Sequence, residues 1–455
     1  MKLRNVLIIN LAAYFCASSA FAAVPPAEAA KLGGELTEFG AIKAGNQAGT
    51  IPAYTGGITT IPAQFDPKAG FWADPYKDDK PRLRITADNM SQYADQLSEG
   101  VKHLLKTNKD YYLDIYPSHR SIAYPASVLQ ASKRNALTCK TTNDALAVSP
   151  DCRGGVPFPI PTNGNEMMWN KILSYNGQGA LFGYGSRNYI VPANGSFVMT
   201  SQIRTYTEKP YYQTDRTDRQ GNMTLRLYSQ TDAPSRKAGE ATGYSDFLDP
   251  LGNPRKAWSY TPGQRRIKMA PEFSYDTPVS TTGGVMLYDE LYLFNGAMDR
   301  FDFKLVGKKE MFIPYNNYKM LSPECTPEKK LKPGFVSPEC ERWELHRVWE
   351  VEATLKPGMR HVYKKRTYYF DEDDLTSGMF DGWDQNGTLY RTGYLYSAAL
   401  YDSKAMFDGA WVIFDFNKGM YSFQSDVSGG KDFYRNDVKS ERELSPESIA
   451  GSGIR

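Results

Sequence analysis

The sequence predicts an α+β protein that is mainly β, built on one large, curved antiparallel sheet and preceded by a few helices. Three observations carry this. Turn signals recur at strand-length intervals through the later part of the chain, among them Asn194-Gly195, Pro262-Gly263, Lys356-Pro357-Gly358, Asn386-Gly387 and Asn417-Lys418-Gly419. Between them lie short runs rich in β-branched and aromatic residues, several alternating apolar with polar. Helical periodicity is confined to three stretches, all before residue 175.

Taken in order, residues 1–22 read as a cleavable signal peptide. Lys2 and Arg4 form a positive start, Val6 to Ala13 a short apolar run, and Ala20-Phe21-Ala22 a small-residue cleavage site, with the cut after Ala22 or Ala23. The apolar run is shorter than the roughly 20 residues a spanning helix needs. Cys16 raises the alternative of a lipid-modified cysteine, but the bulky Tyr14 and Phe15 precede it. Residues 23–84 are rich in Pro, Gly and Thr and read as an extended arm or wrap, with a disordered linker as the alternative. The main domain is expected over 85–425. A first helix is predicted near 88–107, with Asp88 as N-cap and Tyr93, Leu97, Val101, Leu104 and Leu105 at spacings of three and four. A second is predicted near 125–135, opening on Pro125, and a third near 165–174, carrying Met167, Met168 and Trp169.

From about Arg187 the chain reads as strands. Ser196 to Tyr206 follows one hairpin signal, and Met223, Leu225 and Leu227 alternate with Thr224 and Arg226. Trp349, Val351, Ala353 and Leu355 share a strand face opposite Glu350 and Glu352. His361 to Asp371, Thr388 to Tyr396, Ala410 to Phe416 after a turn at Phe407-Asp408-Gly409, and Met420 to Gln424 complete a meander. Trp411-Val412-Ile413-Phe414 is bulky on both faces, as in a strand that is covered twice or lines a cavity. Residues 426–455 read as a polar, frayed tail.

Composition bounds the function. Net charge is +3, two units less without Lys2 and Arg4, and basic residues are dispersed, so nothing favours a nucleic-acid partner. Without Cys16 four cysteines remain, Cys139, Cys152, Cys325 and Cys340, an even count suited to disulfides in an exported chain. Four cysteines allow three connectivities; the local pairs Cys139–Cys152 and Cys325–Cys340 are favoured because each closes a short, turn-rich loop, at about 3 kcal/mol apiece in the chain-entropy model.

Catalytic signals are sparse. Of only four histidines, His103 falls on the first helix and His119 in an exposed turn, while His346 and His361 flank one predicted hairpin. A metal site joining those two with Glu344 or Glu350 competes with plain hydrogen-bonding roles, and no HExxH spacing supports it. There is no GxSxG elbow, and Gly183-Tyr184-Gly185-Ser186 reads as a turn. The acid run Asp371-Glu372-Asp373-Asp374 reads as a solvated turn, with calcium binding or glycoside-type acid chemistry as alternatives. Gln264-Arg265-Arg266-Ile267-Lys268 reads as a charged edge strand that protects against pairing, or as a contact for an anionic head group. The broadest signal is aromatic, with 31 Tyr, 22 Phe and 7 Trp. A plain core is the default. A curved sheet with bulky groups on its concave side also suits an apolar ligand, and Trp258, Tyr260, Trp349, Tyr368, Tyr394 and Trp411, with Arg265, are the candidate ligand-binding residues.

Several segments in order resemble the DUF1329 family of proteobacterial periplasmic proteins. They are Leu36-Thr37-Glu38-Phe39-Gly40-Ala41 with Ala44-Gly45-Asn46, Thr50 through Gly57, Pro157 through Pro161 with Asn163-Gly164 and Trp169-Asn170, Tyr260 through Arg266, Glu344 through Trp349, and Arg360 through Asp373. The resemblance implies a LolA/LolB-like fold: an incomplete antiparallel barrel with helices covering the concave face. It also implies a periplasmic, non-catalytic carrier of a lipid or exporter substrate, working beside an RND-type exporter and an outer-membrane protein, with no cofactor. The competing readings are a periplasmic hydrolase using the acids near Asp371 with His361, and a structural envelope protein.

Overall fold

The turn residues read from the sequence do close hairpins, and their strands merge into one sheet. The computed structural model describes residues 24–215, 222–429, 433–436 and 438–452; the expected signal peptide lies outside them. The chain opens with helix α1 (Pro26–Ala29), strand β1 (Leu83–Ile85), helix α2 (Glu99–Thr107), strand β2 (Leu113–Tyr116) and helix α3 (Ala126–Thr138). A small hairpin of β3 (Thr141–Thr142) and β4 (Ala147–Val148) precedes helix α4 (Gly164–Ile172). Then come β5 (Ala180–Val191), β6 (Val198–Glu208), β7 (Met223–Ala233), β8 (Ala241–Phe247), β9 (Lys256–Thr261), β10 (Arg266–Met269) and β11 (Phe301–Pro314). Helix α5 (Pro327–Lys330) and the hairpin of β12 (Leu331–Lys332) and β13 (Phe335–Val336) lead to β14 (Trp343–Leu355), β15 (Lys365–Asp371), β16 (Gly378–Trp383), β17 (Leu389–Leu400), β18 (Ala405–Asp415), β19 (Met420–Asp426), β20 (Phe433–Asn436) and helix α6 (Pro446–Ser452).

The sheet runs β11-β14-β15-β16-β17-β18-β19-β5-β6-β7-β8-β9-β10, with every neighbour antiparallel. Two meanders are thus sewn together where β19 meets β5. β20 follows β19 along the same edge of β5. β2 pairs in parallel with the start of β14, through Trp343↔Ile115 and Glu344↔Tyr116, and β1 pairs with β2. No described strand joins β10 to β11, so the sheet stays open. Bulges at Gly183/Ser186, Leu305/Gly307, Gly382/Trp383 and Tyr396/Ala398 interrupt its ladders, the device by which strands bend.

Register sorts the side chains onto two faces. Trp411 lies opposite Leu395, Gly393 opposite Phe380, and Phe380 opposite Tyr368, so these share one face, called here the Trp411 face. Tyr394, Asp381 and Thr392 point the other way. The helices divide between the faces. α4 lies on the Trp411 face, with the Lys171 ammonium 5.5 Å from the Phe370 ring. α2 lies on the other, its Gly100 so close to Thr392 and Asp381 that an added Cβ would fall 2.2 Å from the Thr392 side chain.

Local differences from expectation have identifiable causes. The helix expected over 88–107 breaks in two. Met90–Gln96 is a 3-10 segment, Leu97 is extended, and α2 begins only after Ser98, whose hydroxyl accepts from the Val101 N–H. Pro125 stands just outside α3 as its N-cap residue, and Asn163 caps α4 by accepting from the Glu166 N–H. Gly183-Tyr184-Gly185-Ser186 is no turn but a bulge inside β5, with Gly185 at φ +71°. Phe407-Asp408-Gly409 also lies inside a strand, β18. The arm is ordered, with Leu32, Phe39, Ala41 and Ile51 buried. The segment after Ser425 is not frayed throughout. α6 carries Ile449 and Ala450, which with Leu444 are buried against Tyr206, Tyr228, Trp258 and Tyr260. Both favoured disulfides form, Cys139–Cys152 and Cys325–Cys340.

Candidate functional site

Half of the Trp411 face is solid and half is hollow. Over β15 to β17 the segment after β10 lies directly on the sheet: Phe294 meets Tyr368 edge-on at 5.9 Å, and Arg366 sits over the Phe294 ring at 5.6 Å. Towards β18 and β5–β8 the same segment bridges rather than fills. There Tyr292, its ring 5.0 Å from that of Trp411, stands between cavities. Tyr292 and Leu293 hold left-handed backbone conformations, φ 54° and 76°, which a non-glycine residue adopts only where its surroundings impose them.

Four cavities follow one another along this face. The first, about 190 Å³, lies between Ile203, Leu227, Phe273, Met286, Tyr292 and Trp411. A second, about 40 Å³, shares Tyr292 and Trp411 with it and reaches Phe407 and Asp408. A third of about 40 Å³ shares Tyr292 and Asp408 with the second and holds Lys171 and Lys209. The fourth, about 280 Å³, shares Ile172, Thr224 and Asn295 with the third and opens towards Trp169, Pro250 and Pro271. Their walls are mostly apolar or hydroxyl-bearing, the profile of a small-molecule site.

The third cavity is chemically distinct. Lys171, in the last turn of α4, and Lys209, just after β6, are both buried. The Lys171 ammonium donates to the Thr376 carbonyl at 2.7 Å, and that of Lys209 donates to the Ser174 carbonyl. Burial drives both amines down, Lys171 to about 7 and Lys209 to about 8, although Asp408 pulls the other way. Asp408 itself accepts from the Asn176 amide at 3.3 Å.

A second charged centre lies on the far side of the same loop, and each of its carboxylates except Asp374 meets a cation. The acid run is buried, not solvated. Arg120 grips Asp373 through two donors at 2.8 and 2.6 Å; Arg347 and Lys308 hold Glu372 at 2.8 and 2.7 Å. His346 bonds Asp371 at 2.8 Å and Glu344 at 3.2 Å, and Arg342 holds Glu344 at 2.6 Å. Asp374 accepts from the Thr376 and Ser377 N–H groups, both at 2.7 Å. Burial alone would lower His346, but the two carboxylates raise it to about 10. Backbone of the arm joins in: the Ile42 N–H donates to Glu372, and Arg347 donates to the Ile42 and Ala44 carbonyls. The knot therefore pins residues 42–44 to the sheet.

His346, Asp371 and Asp373 lie close enough to share a metal ion. Each already has a protein partner: His346 bonds Asp371 and Glu344, and Arg120 meets both Asp373 oxygens. The metal site that the sequence left as an alternative to plain hydrogen-bonding roles at His346 and His361 is ruled out by position. The register Val348↔Asp371 puts His346 at one end of β15, and His361 precedes the other. His361 instead bonds Asp289 at 3.0 Å, and His119, half-buried under Tyr76 rather than exposed, bonds Asp79 at 2.9 Å. His103 packs on Phe416. Asp371 and His361, paired in the hydrolase reading, are likewise separated by the length of β15.

The seven candidate ligand residues are scattered. Trp411 alone among them lines the cavities above. Tyr368 is buried in the solid half of the face. Trp349 is half-buried beneath the Lys308 ammonium, 4.4 Å away. Tyr394 faces the other side, where it, Tyr111, Tyr396 and Trp343 all donate to Glu341. Burial lifts that carboxyl to about 7 despite these donors. Trp258 and Tyr260 lie under α6. Arg265 is exposed in the β9–β10 turn at φ 47°, and the basic run continues as the exposed edge strand β10.

A model of the family described as "Protein of unknown function (DUF1329)" matches residues 84–450. The chain belongs to the DUF1329 family. It is 37% identical, over the full length of both chains, to a Pseudomonas aeruginosa protein named "Uncharacterized protein PA3922". Among solved structures it is similar to a putative outer membrane lipoprotein-sorting protein domain from Vibrio parahaemolyticus, at 12% identity over 63% of this chain and 97% of that one, TM-score 0.42. It is also similar to a DUF1329 family protein from Desulfovibrio piger, at 11% identity over 60% and 92%, TM-score 0.41. A LolA superfamily protein from Nitrosomonas europaea aligns at 8% identity over 63% and 99%, TM-score 0.35. No described helix of this DUF1329 chain is long and apolar enough to cross a membrane.

Proposed function

We propose that the protein is a non-catalytic periplasmic carrier or accessory factor that shelters a hydrophobic molecule, a lipid or an exporter substrate, between the Trp411 face and the segment bridging it. The row of four adjoining cavities carries this reading. Cores are normally packed to crystal-like density, and a run of spaces along one face departs from that rule. Tyr292, between three of the cavities, is the natural divider for an occupant to displace. Each methylene withdrawn from water contributes about 0.8 kcal/mol, enough for a modest chain to be held reversibly. In this reading the signal peptide delivers the chain to the periplasm, and cargo passes between an RND-type exporter and an outer-membrane partner.

The test is native mass spectrometry, with organic extraction, of protein purified from the periplasm. A bound species near one equivalent, released by solvent, is the expected result. Repeated recovery of empty protein, together with failure to take up a neutral hydrophobic dye, overturns the reading.

A further inference from the structure

We propose that the Lys171–Lys209 cavity receives the carboxylate head group of a single-chain amphiphile whose tail lies in the adjoining cavities beside Tyr292 and Trp411; this rests on the carrier reading above. Three features lead there.

The first is unbalanced charge. Two ammonium groups and one carboxylate, Asp408, line the cavity together with Asp246. Asp246 is neutralised by the two-pronged Arg255, at 2.7 and 2.8 Å. Among the described residues neither lysine lies within ion-pair distance of a carboxylate, and their hydrogen bonds to protein end on the carbonyls of Thr376 and Ser174 and the Ser174 hydroxyl. Asp374, the other acid acting on Lys171, is occupied by Ser377 and two backbone N–H groups. With both lysines protonated, one negative charge brings the cavity to neutrality. Buried ammonium groups without a counter-charge are strongly unfavourable, so a chain that keeps two beside an open space has a use for them.

The second is size. A water needs roughly 10–15 Å³ of such space, so the cavity of about 40 Å³ suits a head group of a few atoms, as a carboxylate is. The third is continuity. The pocket shares Tyr292 and Asp408 with the space leading to Trp411, and Ile172 and Thr224 with the fourth cavity, so a tail has apolar walls in either direction. Burial leaves Lys171 near 7 and Lys209 near 8, so an incoming carboxylate would also draw protons onto them.

The experiment is a fluorescence titration of the full-length mature protein with cis-parinaric acid and with its methyl ester, repeated on Lys171→Met, Lys209→Met and the double variant. The acid is expected to bind the wild type at least tenfold more tightly than the ester. The double variant is expected to bring the two within about twofold. Equal affinity for acid and ester in the wild type overturns the head-group assignment and leaves the hydrophobic site standing. Binding of neither probe overturns the carrier reading itself. Dodecyl phosphate displacing the probe better than laurate overturns the choice of carboxylate. The wild-type comparison decides the matter even where a variant fails to fold.

Discussion

The two buried charged centres are separated by a single loop, and they are built on opposite terms. Thr376 joins them: its N–H donates to Asp374 of the acid knot, and its carbonyl accepts from Lys171. On the knot side Arg120, Arg342, Arg347, Lys308 and His346 each meet a carboxylate within 3.2 Å, and the arm is threaded through the contacts. On the cavity side two ammonium groups meet carbonyls. Burial is the same in both, so burial by itself does not mark function. Matched charge holds the arm to the sheet; unmatched charge beside empty space is what a ligand can complete.

The largest effect expected on this contrast comes from breaking the match. Arg120→Ala leaves Asp373 buried and unpaired and should lose about 3–5 kcal/mol in urea or thermal unfolding. A loss below about 1 kcal/mol would mean the knot is not holding the arm. Removing the Cys325–Cys340 disulfide as a double serine variant should lose about 2–4 kcal/mol, since its loop of 15 residues lies beside the Glu341 cage but outside both charged centres. Filling the hollow half with Leu227→Trp should weaken binding of a neutral hydrophobic probe at least tenfold, with a stability change of about 1–3 kcal/mol from overpacking.

The pH response is the most discriminating, because the two centres respond with opposite sign. His346 is raised in the fold to about 10, so its contribution is complete below pH 6.5 and is lost as pH rises through 10. Lys171 is depressed to about 7, so the fold is favoured above pH 10.5 and that advantage is lost as pH falls through 7. His346→Gln should flatten the alkaline fall in melting temperature. Lys171→Met should instead raise the melting temperature at pH 6 and leave it unchanged near pH 10.5. Parallel pH profiles for the two variants would erase the distinction.

Local chemistry made much of the fold readable. Asn194-Gly195 and Lys356-Pro357-Gly358 specify their turns within a few residues, and alternation from Trp349 to Leu355 marks β14 as a strand. β11 escaped notice because Lys304, Lys308, Lys309 and Glu310 blur its alternation, and its bulge at Gly307, φ 139°, shifts the period midway. Four consecutive acids look solvated until cations from β2–α3, β11 and β14 converge on them, and no sequence window contains that convergence. The lysine pocket was missed for the same reason. A faint signal was present: Lys171 sits among Met167, Met168, Trp169 and Ile172, and Lys209 precedes Pro210-Tyr211-Tyr212, apolar company for a charged residue. The aromatic richness was visible but not its division, since only pairing register separates Trp411 from Tyr394.

The claim that the hollow half of the Trp411 face is a ligand site is tested most directly by titrating the protein with methyl parinarate, which carries the tail and no charge. Saturable binding of about one equivalent to the wild type, lost in Leu227→Trp and retained in Lys171→Met, is the result expected. Absence of saturable binding, or binding indifferent to Leu227→Trp, would contradict it.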